Sequence, residues 1–288
     1  MRILLAGRDG QVGFELAKVL KGELIATDRR TLDLSREGDI RTFVREAKPQ
    51  LIVNATAYNA VDRAEAEPEQ ALQVNGAAPR VLAEEAKRLG ALLVHFSTDY
   101  VFDGAKRKPY VEEDPAAPLG AYGRSKLAGE TAIRASGARA LIFRTGWLYS
   151  DRRENFVLTM RRLAAEKPEL RVVNDQTGTP TWARSLAQAV AKICALAPSR
   201  RDLGEGAPVY HATCGGETTR FDWVRAIVES VPGKSAKLTP VASAEFPSAA
   251  RRPLYSVLSS EKLQRDFGVQ LPDWRAAFEA FQREWKPA

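Results

Sequence analysis

The stretch Gly7-Arg8-Asp9-Gly10-Gln11-Val12-Gly13 lies between the apolar run Ile3–Ala6 and the amphipathic stretch Gly13–Leu20. Glycines between a strand and a helix allow a tight turn and let backbone N–H groups approach a phosphate at the positive end of the helix. The spacing GxxGxxG differs from the usual GxGxxG, so the motif alone is weak evidence. Its position between a predicted strand and a predicted helix is the stronger evidence. An ordinary glycine-rich turn is the alternative. We predict a pyrophosphate-binding turn of a dinucleotide-binding fold.

Outward from this turn, short apolar runs alternate with amphipathic stretches. The runs predicted as buried strands are Ile3–Ala6, Glu23–Thr27, Leu51–Ala55, Leu92–Phe96 and Ala140–Arg144. The stretches with helical spacing are Gly13–Leu20, Ile40–Ala47, Gln70–Leu89 (with Leu72, Val81, Leu82, Ala86 and Leu89 on one face) and Ser125–Ser136. Such alternation predicts an α/β fold, a Rossmann-like doubly wound parallel sheet whose ligands bind at the carboxyl ends of the strands.

After about residue 146 this rhythm changes, because proline and glycine become denser and the strands become shorter. Strands are predicted at Leu170–Val173 and Val209–Ala212, and helices at Trp182–Leu196 and Phe221–Val231. We predict a dinucleotide-binding domain over residues 1–146 with a return segment near 180–200. Residues 147–288 are predicted to form most of a smaller, interleaved α/β substrate-binding domain.

Composition excludes several classes of protein. The 288 residues are 44% hydrophobic and 27% charged, which excludes a disordered chain, and no apolar run is long enough to span a membrane. The 43 basic and 36 acidic residues give a net charge of +7, but the basic residues are scattered, so no nucleic-acid partner is expected. Cys194 and Cys214 form no CxxC motif, which favours reduced thiols and a cytoplasmic location.

A second motif, Tyr122-Gly123-Arg124-Ser125-Lys126, lies at the start of a predicted helix, where residues four apart share a face. An ammonium beside a phenol lowers the pKa of the phenol, which then donates a proton to a carbonyl oxygen while a cofactor delivers hydride. Thr98, at the end of a buried strand, is placed to polarise the same carbonyl. A packed tyrosine with a surface lysine, and a strand-end cap at Thr98, are the structural alternatives.

Asp28 follows Gly7 by 21 residues, at the end of the second predicted strand, where a carboxylate accepts a hydrogen bond from a ribose hydroxyl. Arg29 and Arg30 come next, and their guanidinium groups suit a 2′-phosphate. The sequence therefore carries features for both NADH and NADPH. A solvated loop is the alternative for this segment.

Together these motifs resemble the extended short-chain dehydrogenase/reductase superfamily and, within it, the dTDP-4-dehydrorhamnose reductase family. The resemblance runs from residue 1 to about 280. The stretches that carry it are Gly10–Gly13, Ala60–Glu65, Ser97–Phe102, Tyr122–Glu130, Phe143–Tyr149, Asn174–Thr181, Arg251–Pro253 and Leu271–Trp274. It implies NAD(P)H-dependent reduction of the C4 ketone of dTDP-6-deoxy-L-lyxo-4-hexulose to dTDP-L-rhamnose.

Two alternatives stay open. One is a reductase or epimerase of another nucleotide-activated deoxysugar. The other is a non-catalytic NADP-binding regulatory subunit, against which the intact Thr98, Tyr122 and Lys126 argue.

The resemblance also implies residue roles. Tyr122 would donate the proton, with Lys126 as the partner that sets its pKa and anchors the ribose, and Thr98 would tune the carbonyl. The residues implied to bind cofactor are Gly7, Gly10, Gln11, Val12, Gly13, Asp28, Arg29, Asp33, Leu34, Ala57, Tyr58, Asn59, Tyr122 and Lys126. The residues implied to hold the deoxysugar are Thr98, Asp99 and Trp147. Arg8-Asp9 and Asn59 depart from the family pattern in cofactor-facing loops.

Weaker candidates complete the set. Gln176, in a polar loop, is a candidate substrate contact or a turn residue, and Arg251-Arg252 is a candidate diphosphate contact or solvated surface. His95 and His211 are interpreted as core or hydrogen-bonded residues. Members of the resembled family are associated with magnesium, but no ligand for it is assignable in this sequence. A homodimer is left open.

Overall fold

The computed structural model describes residues 1–233 and 236–285. The strands are β1 (Arg2–Ala6), β2 (Glu23–Thr27), β3 (Leu51–Asn54), β4 (Leu92–Thr98), β5 (Ala140–Thr145), β6 (Leu148–Tyr149), β7 (Glu169–Val173), β8 (Thr177–Gly178), β9 (Thr181–Trp182), β10 (Val209–His211), β11 (Thr218–Thr219) and β12 (Lys237–Val241). The helices are α1 (Gln11–Val19), α2 (Glu37–Ala47), α3 (Arg63–Ala66), α4 (Pro68–Leu72), α5 (Ala78–Leu89), α6 (Ala121–Ser136), α7 (Phe156–Glu166), α8 (Ala183–Cys194), α9 (Arg220–Glu229), α10 (Glu261–Phe267) and α11 (Trp274–Glu284). No helix within the described residues has the length and apolar character needed to cross a membrane.

The central sheet is parallel, and its strand order is β10-β5-β4-β3-β1-β2. The predicted parallel sheet and α/β class are confirmed. Alternate residues of each strand face opposite layers, so Ile3 and Leu5 pack in one core and Leu4 in the other. Helices cover both faces, which explains why the strands read as continuous apolar runs.

The second half of the chain contributes to this sheet. Helix α8 packs against α1 on one face, and β10 pairs with β5 at the sheet edge. Beyond the sheet, short paired strands form a smaller region in which β7 pairs with β12 and α7 packs against α9. The chain therefore crosses between the two regions more than once. The division at residue 146 with a return near 180–200 stays a prediction.

The segment predicted as one helix over Gln70–Leu89 is interrupted. A π-helical turn, Gln73–Ala77, separates α4 from α5, and each π turn takes in an extra residue and rotates the faces that follow. Leu72, expected on the buried face with Val81 and Leu82, is 50% exposed, whereas those two residues are buried. The placement of Leu72 was wrong because periodicity alone does not reveal the phase change.

The π turn packs directly on α6. A Cβ atom built on Gly129 of α6 would lie 2.2 Å from the backbone oxygen of Asn75, a contact that side chains do not tolerate. Helix α6 therefore approaches the π turn at backbone distance.

We predict that Gly129→Ala lowers the free energy of unfolding by about 2 kcal/mol, because α6 must move away from the π turn. The matched control is Gly38→Ala in α2, where an added Cβ meets nothing within 4 Å. That change is expected to be neutral or to stabilise by about 0.5 kcal/mol, because alanine favours helix. Urea denaturation of both variants provides the measurement, and equal effects would contradict the close-approach argument.

Candidate active site

The glycine turn lies at the carboxyl end of β1 and opens α1. Gly7 has a φ of +89°, and a Cβ on Gly13 would lie 2.0 Å from the Gly7 carbonyl oxygen. Only glycines fit a turn this tight, and backbone N–H groups at the start of a helix are suited to a phosphate group. Val12 is buried, and the side chain of Gln11 accepts a hydrogen bond from Ser150 at 3.0 Å.

Asp28 follows β2, beside the glycine turn. Its Oδ1 atom accepts hydrogen bonds from the backbone and hydroxyl of Thr31 and from the backbone of Arg30, and its Oδ2 lies 3.1 Å from Arg8 Nη2. These bonds, chiefly those from Thr31, lower the pKa of Asp28 to about 2. The carboxylate is therefore charged at neutral pH and able to accept from a ribose hydroxyl, with the Arg29 side chain 80% exposed nearby.

Asp33 and Leu34 follow Asp28 in the segment between β2 and α2. The Asp33 carboxylate accepts hydrogen bonds from the backbone and hydroxyl of Ser35, and Leu34 is buried. The Arg29 and Asp33 side chains form an ion pair at 3.9 Å.

The loop after β3 carries Ala57, Tyr58 and Asn59. The backbone N–H of Tyr58 donates to Asn75 Oδ1 at 2.9 Å, and Asn75 Nδ2 donates back to the Tyr58 carbonyl and to Ser125 Oγ. Asn75 belongs to the π turn, so this turn fixes the loop to α6. Ala57 and Asn59 are exposed beside it.

Thr98, Asp99 and Tyr122 come together where β4 meets α6. The Thr98 hydroxyl donates to Asp99 Oδ1 at 3.1 Å and accepts from the backbone of Tyr100. Burial raises the pKa of Tyr122 above its usual 10, and the neighbouring Thr98 hydroxyl opposes this only in part. Burial likewise raises the pKa of Asp99 to about 6, against hydrogen bonds with Ser256 and Thr98.

Lys126 is buried one turn after Tyr122. Its Nζ donates to the Phe96 carbonyl at 2.6 Å and lies 3.4 Å from His95 Nε2. Burial lowers the pKa of Lys126 to about 8, while the charge of Glu130 opposes the shift. The expectation that Lys126 lowers the pKa of Tyr122 is wrong for this structure. Desolvation of the phenol raises its pKa and outweighs the lowering effect of Thr98.

An arginine that the sequence analysis missed lies at the same cleft. The guanidinium of Arg220, at the start of α9, stacks 3.5 Å above the Trp147 ring and 4.6 Å from the Phe156 ring. Burial lowers the pKa of Arg220 to about 10, against the charges of Tyr100 and Asp99. Trp147 itself has a φ of +45°, a strained value for a bulky residue. No local motif marks Arg220, because its contacts come from distant parts of the chain.

The remaining candidates are placed as follows. Arg252 Nη2 pairs with Asp62 at 2.7 Å. Burial raises the pKa of Tyr100, and the positive charges of Arg220 and Arg252 oppose this rise. Tyr100 in turn contacts Tyr122 edge to face, with ring centroids 6.0 Å apart. Gln176 is buried, and its amide donates to Ser243 Oγ at 3.0 Å. Arg251 is exposed.

The donor set does not fit a magnesium ion. Within residues 1–233 and 236–285, no group of three or more His, Cys, Asp or Glu side chains is arranged to hold a metal. Glu15, a buried carboxylate, is instead paired with Lys18 and Arg184, each at 3.0 Å.

The buried carboxyl of Asp99 predicts a specific pH dependence of stability. Its pKa of about 6 exceeds the ordinary value of 3.8, so the unfolded chain ionises first and folding stability falls as pH rises from 4 to 6. Asp99→Asn removes this loss, and we expect it to be more stable than the parent protein at pH 8 by roughly 2 kcal/mol, with a smaller difference at pH 4.

Asp103→Asn is the matched control for urea denaturation at the two pH values. A hydrogen bond from the Ala105 backbone holds the pKa of Asp103 below its ordinary value, so its removal stabilises at neither pH. A gain for Asp99→Asn that is the same at pH 4 and pH 8 would contradict the burial argument.

Comparisons with known proteins agree with this geometry. The sequence model of the RmlD substrate binding domain family matches residues 1–286. A dTDP-4-dehydrorhamnose reductase of Burkholderia thailandensis is 47% identical over 96% of each chain. One of Escherichia coli K12 is 41% identical over 99% of this chain and 98% of its own.

Solved structures show the same relationship. A dTDP-4-dehydrorhamnose reductase from Bacillus anthracis, in complex with NADP, superimposes with a TM-score of 0.91 at 32% identity and covers 98% of this chain and 99% of its own. A UDP-glucose 4-epimerase of Thermus thermophilus, at 20% identity and a TM-score of 0.77, shares the fold alone and covers 99% of each chain. The chain belongs to the dTDP-4-dehydrorhamnose reductase family.

Proposed function

We propose that the protein reduces the C4 ketone of dTDP-6-deoxy-L-lyxo-4-hexulose to dTDP-L-rhamnose with NADPH or NADH. The observation that carries this proposal is the placement of Tyr122 beside Thr98 and Asp99, where β4 meets α6, with Lys126 buried one turn further along the helix. The carboxyl ends of β1 and β3 supply the glycine turn and the Ala57–Asn59 loop at the same edge of the sheet. Ligands of doubly wound sheets bind at that edge.

The cofactor would be held by the glycine turn, Asp28 and the Ala57–Asn59 loop. Its reduced nicotinamide supplies the hydride that converts the ketone carbon to an alcohol carbon. Asp28 favours a ribose hydroxyl, whereas Arg8, Arg29 and Arg30 suit a 2′-phosphate, so both cofactors are compatible with the pocket.

Tyr122 would supply the proton. Its raised pKa keeps the phenol protonated at neutral pH, so it is present as an acid when the ketone oxygen gains charge. The Thr98 hydroxyl lies beside this phenol and donates to Asp99 Oδ1. If it turned its proton to the phenol oxygen, it would stabilise the phenolate that remains after proton transfer. Lys126, one turn along α6, adds positive charge while it is protonated, below a pKa of about 8.

Two cations support a nucleotide diphosphate as the half of the substrate that does not react. The charges of Arg220 and Arg252 both act on Tyr100, whose ring contacts the ring of Tyr122. Arg220 stacks on Trp147 and is not salt-bridged to any described residue, so its guanidinium is available for a diphosphate. Trp147 and Asp99 would then border the deoxysugar.

The first test follows loss of reduced-cofactor absorbance with the purified protein, the 4-keto sugar and NADPH or NADH. We expect net oxidation and a rhamnose product, whereas an epimerase would convert the sugar without net oxidation.

Tyr122→Phe is expected to lower kcat by about a thousandfold, because it removes the proton donor. Cofactor affinity, measured by fluorescence quenching, should change by less than threefold. Retention of a tenth of the activity by Tyr122→Phe would contradict this role.

The second test concerns the diphosphate. Arg220→Met removes one charge-assisted contact, and we expect KM for the nucleotide sugar to rise by about 10–100-fold with cofactor affinity unchanged. Arg225→Met is the matched control on the same helix, because Arg225 is exposed and, among the described residues, pairs only with Asp222. Unchanged KM for Arg220→Met, or equal changes for both variants, would remove Arg220 from the substrate site.

A further inference from the structure

His95 occupies the centre of the sheet between the cofactor loop and the catalytic helix. Its side chain is fully buried on β4, with Asn54 of β3 on one side and Lys126 of α6 on the other. The distances are 3.1 Å from Nδ1 to Asn54 Nδ2 and 3.4 Å from Nε2 to Lys126 Nζ. The proposed reduction uses Lys126 but assigns no role to this histidine.

The hydrogen bonds of Asn54 determine where the histidine carries its proton. Asn54 Oδ1 accepts from the Thr56 backbone at 3.1 Å and from the Thr56 hydroxyl at 2.5 Å. This turns the Asn54 Nδ2 group, a donor, toward His95 Nδ1. Nδ1 must therefore accept, and the single proton of the neutral ring lies on Nε2.

This tautomer places an N–H group against the Lys126 side chain. An Nε2–H donor is matched by the lone pair of a neutral amine and opposed by the hydrogens of an ammonium. The Phe96 carbonyl is the acceptor that holds Nζ in place, at 2.6 Å. Burial and the Lys126 charge also push the pKa of His95 well below 6.5, which keeps the ring neutral.

The other titratable groups near Lys126 lie on α6 and β4. Glu130, on α6, favours the ammonium, but its carboxylate is committed to Arg144 of β5 through hydrogen bonds of 3.0 and 2.7 Å and to the Ser97 hydroxyl. Tyr122, also on α6, is neutral below its raised pKa. His95 is the titratable side chain that β4 presents to Lys126 at close distance.

We propose that His95 is a positioning residue whose Nε2–H group faces Lys126 and sets the alkaline limit of the reductase reaction. It acts through Lys126 rather than by touching the sugar. The proposal rests on the proposed function for its kinetic consequence, but its structural claim is independent of catalysis. Because Lys126 has a pKa of about 8, activity should fall as pH rises through that value.

The tautomer is tested directly in the wild-type protein with and without NADPH. The chain contains two histidines, so a protein with ¹⁵N-labelled histidine gives two ring systems, and His211→Asn identifies which belongs to His95. We expect His95 to be neutral between pH 5.5 and 8 and to carry its proton on Nε2. A proton on Nδ1, or titration of His95 near pH 6.5, would overturn the proposal whether or not the protein reduces the sugar.

The kinetic consequence is tested with His95→Asn. The asparagine amide oxygen lies near the position of Nδ1 and preserves the acceptor for Asn54, while the group at the Nε2 position is removed. We expect the alkaline limb of kcat/KM against pH to move upward by about one pH unit. The matched control is His211→Asn, since His211 is equally buried but bonds to the Tyr110 carbonyl instead of Lys126.

An unchanged alkaline limb in folded His95→Asn, or the same shift in both variants, would overturn the role of His95. If His95→Asn does not fold, the wild-type tautomer still decides the structural claim. If the wild-type protein shows no reductase activity, the proposed function fails, and the tautomer measurement remains a separate result.

Discussion

Helix α6 lies against the carboxyl end of β4 and the π turn at backbone contact distance, and the site is organised around this approach. A Cβ on Gly123 would meet the Tyr100 carbonyl oxygen at 2.2 Å, just as one on Gly129 would meet Asn75. The two glycines lie on the face that carries the buried Lys126 and Ser125. Close packing thus brings Tyr122 to Thr98 and seals Lys126 beneath it. The same contact that orients these groups also removes them from water and shifts their pKa values.

The parallel sheet was accessible from sequence because buried parallel strands are apolar on both faces. The strand Glu23–Thr27 has its predicted bounds, and Leu51–Asn54 differs from the prediction by one residue. The interruption between α4 and α5 could not be predicted from the sequence in the same way. Its π turn is stabilised by Asn75, whose side chain bonds to the Tyr58 backbone and to Ser125, and these partners lie far away in sequence. Tertiary hydrogen bonds therefore determine the change of helical phase at the π turn, which sequence periodicity does not predict.

In the candidate site, too, some features could be predicted from the sequence and others could not. Motifs located the glycine turn, Asp28, Thr98, Tyr122 and Lys126, because strand ends and helix starts constrain their positions. Spacing did not reveal the electrostatics, since the distance of four residues between Tyr122 and Lys126 says nothing about desolvation. Arg220 was missed because its partner Trp147 is 73 residues away and no motif joins them. The roles of the site residues stay predictions that the variants above address.

The buried charges differ in how they are compensated, and this difference separates scaffold from site. Glu130 and Arg144 neutralise each other through two hydrogen bonds inside the protein. Lys126, Asp99 and Arg220 form no ion pair with any described side chain, and burial shifts the pKa of each toward its neutral form. Buried charges without a partner lower the stability of the ligand-free protein. Their presence at one cleft is explained if bound ligands supply the missing partners. A diphosphate would complement Arg220, and ribose hydroxyls would give Lys126 the acceptors that His95, as an Nε2–H donor, withholds.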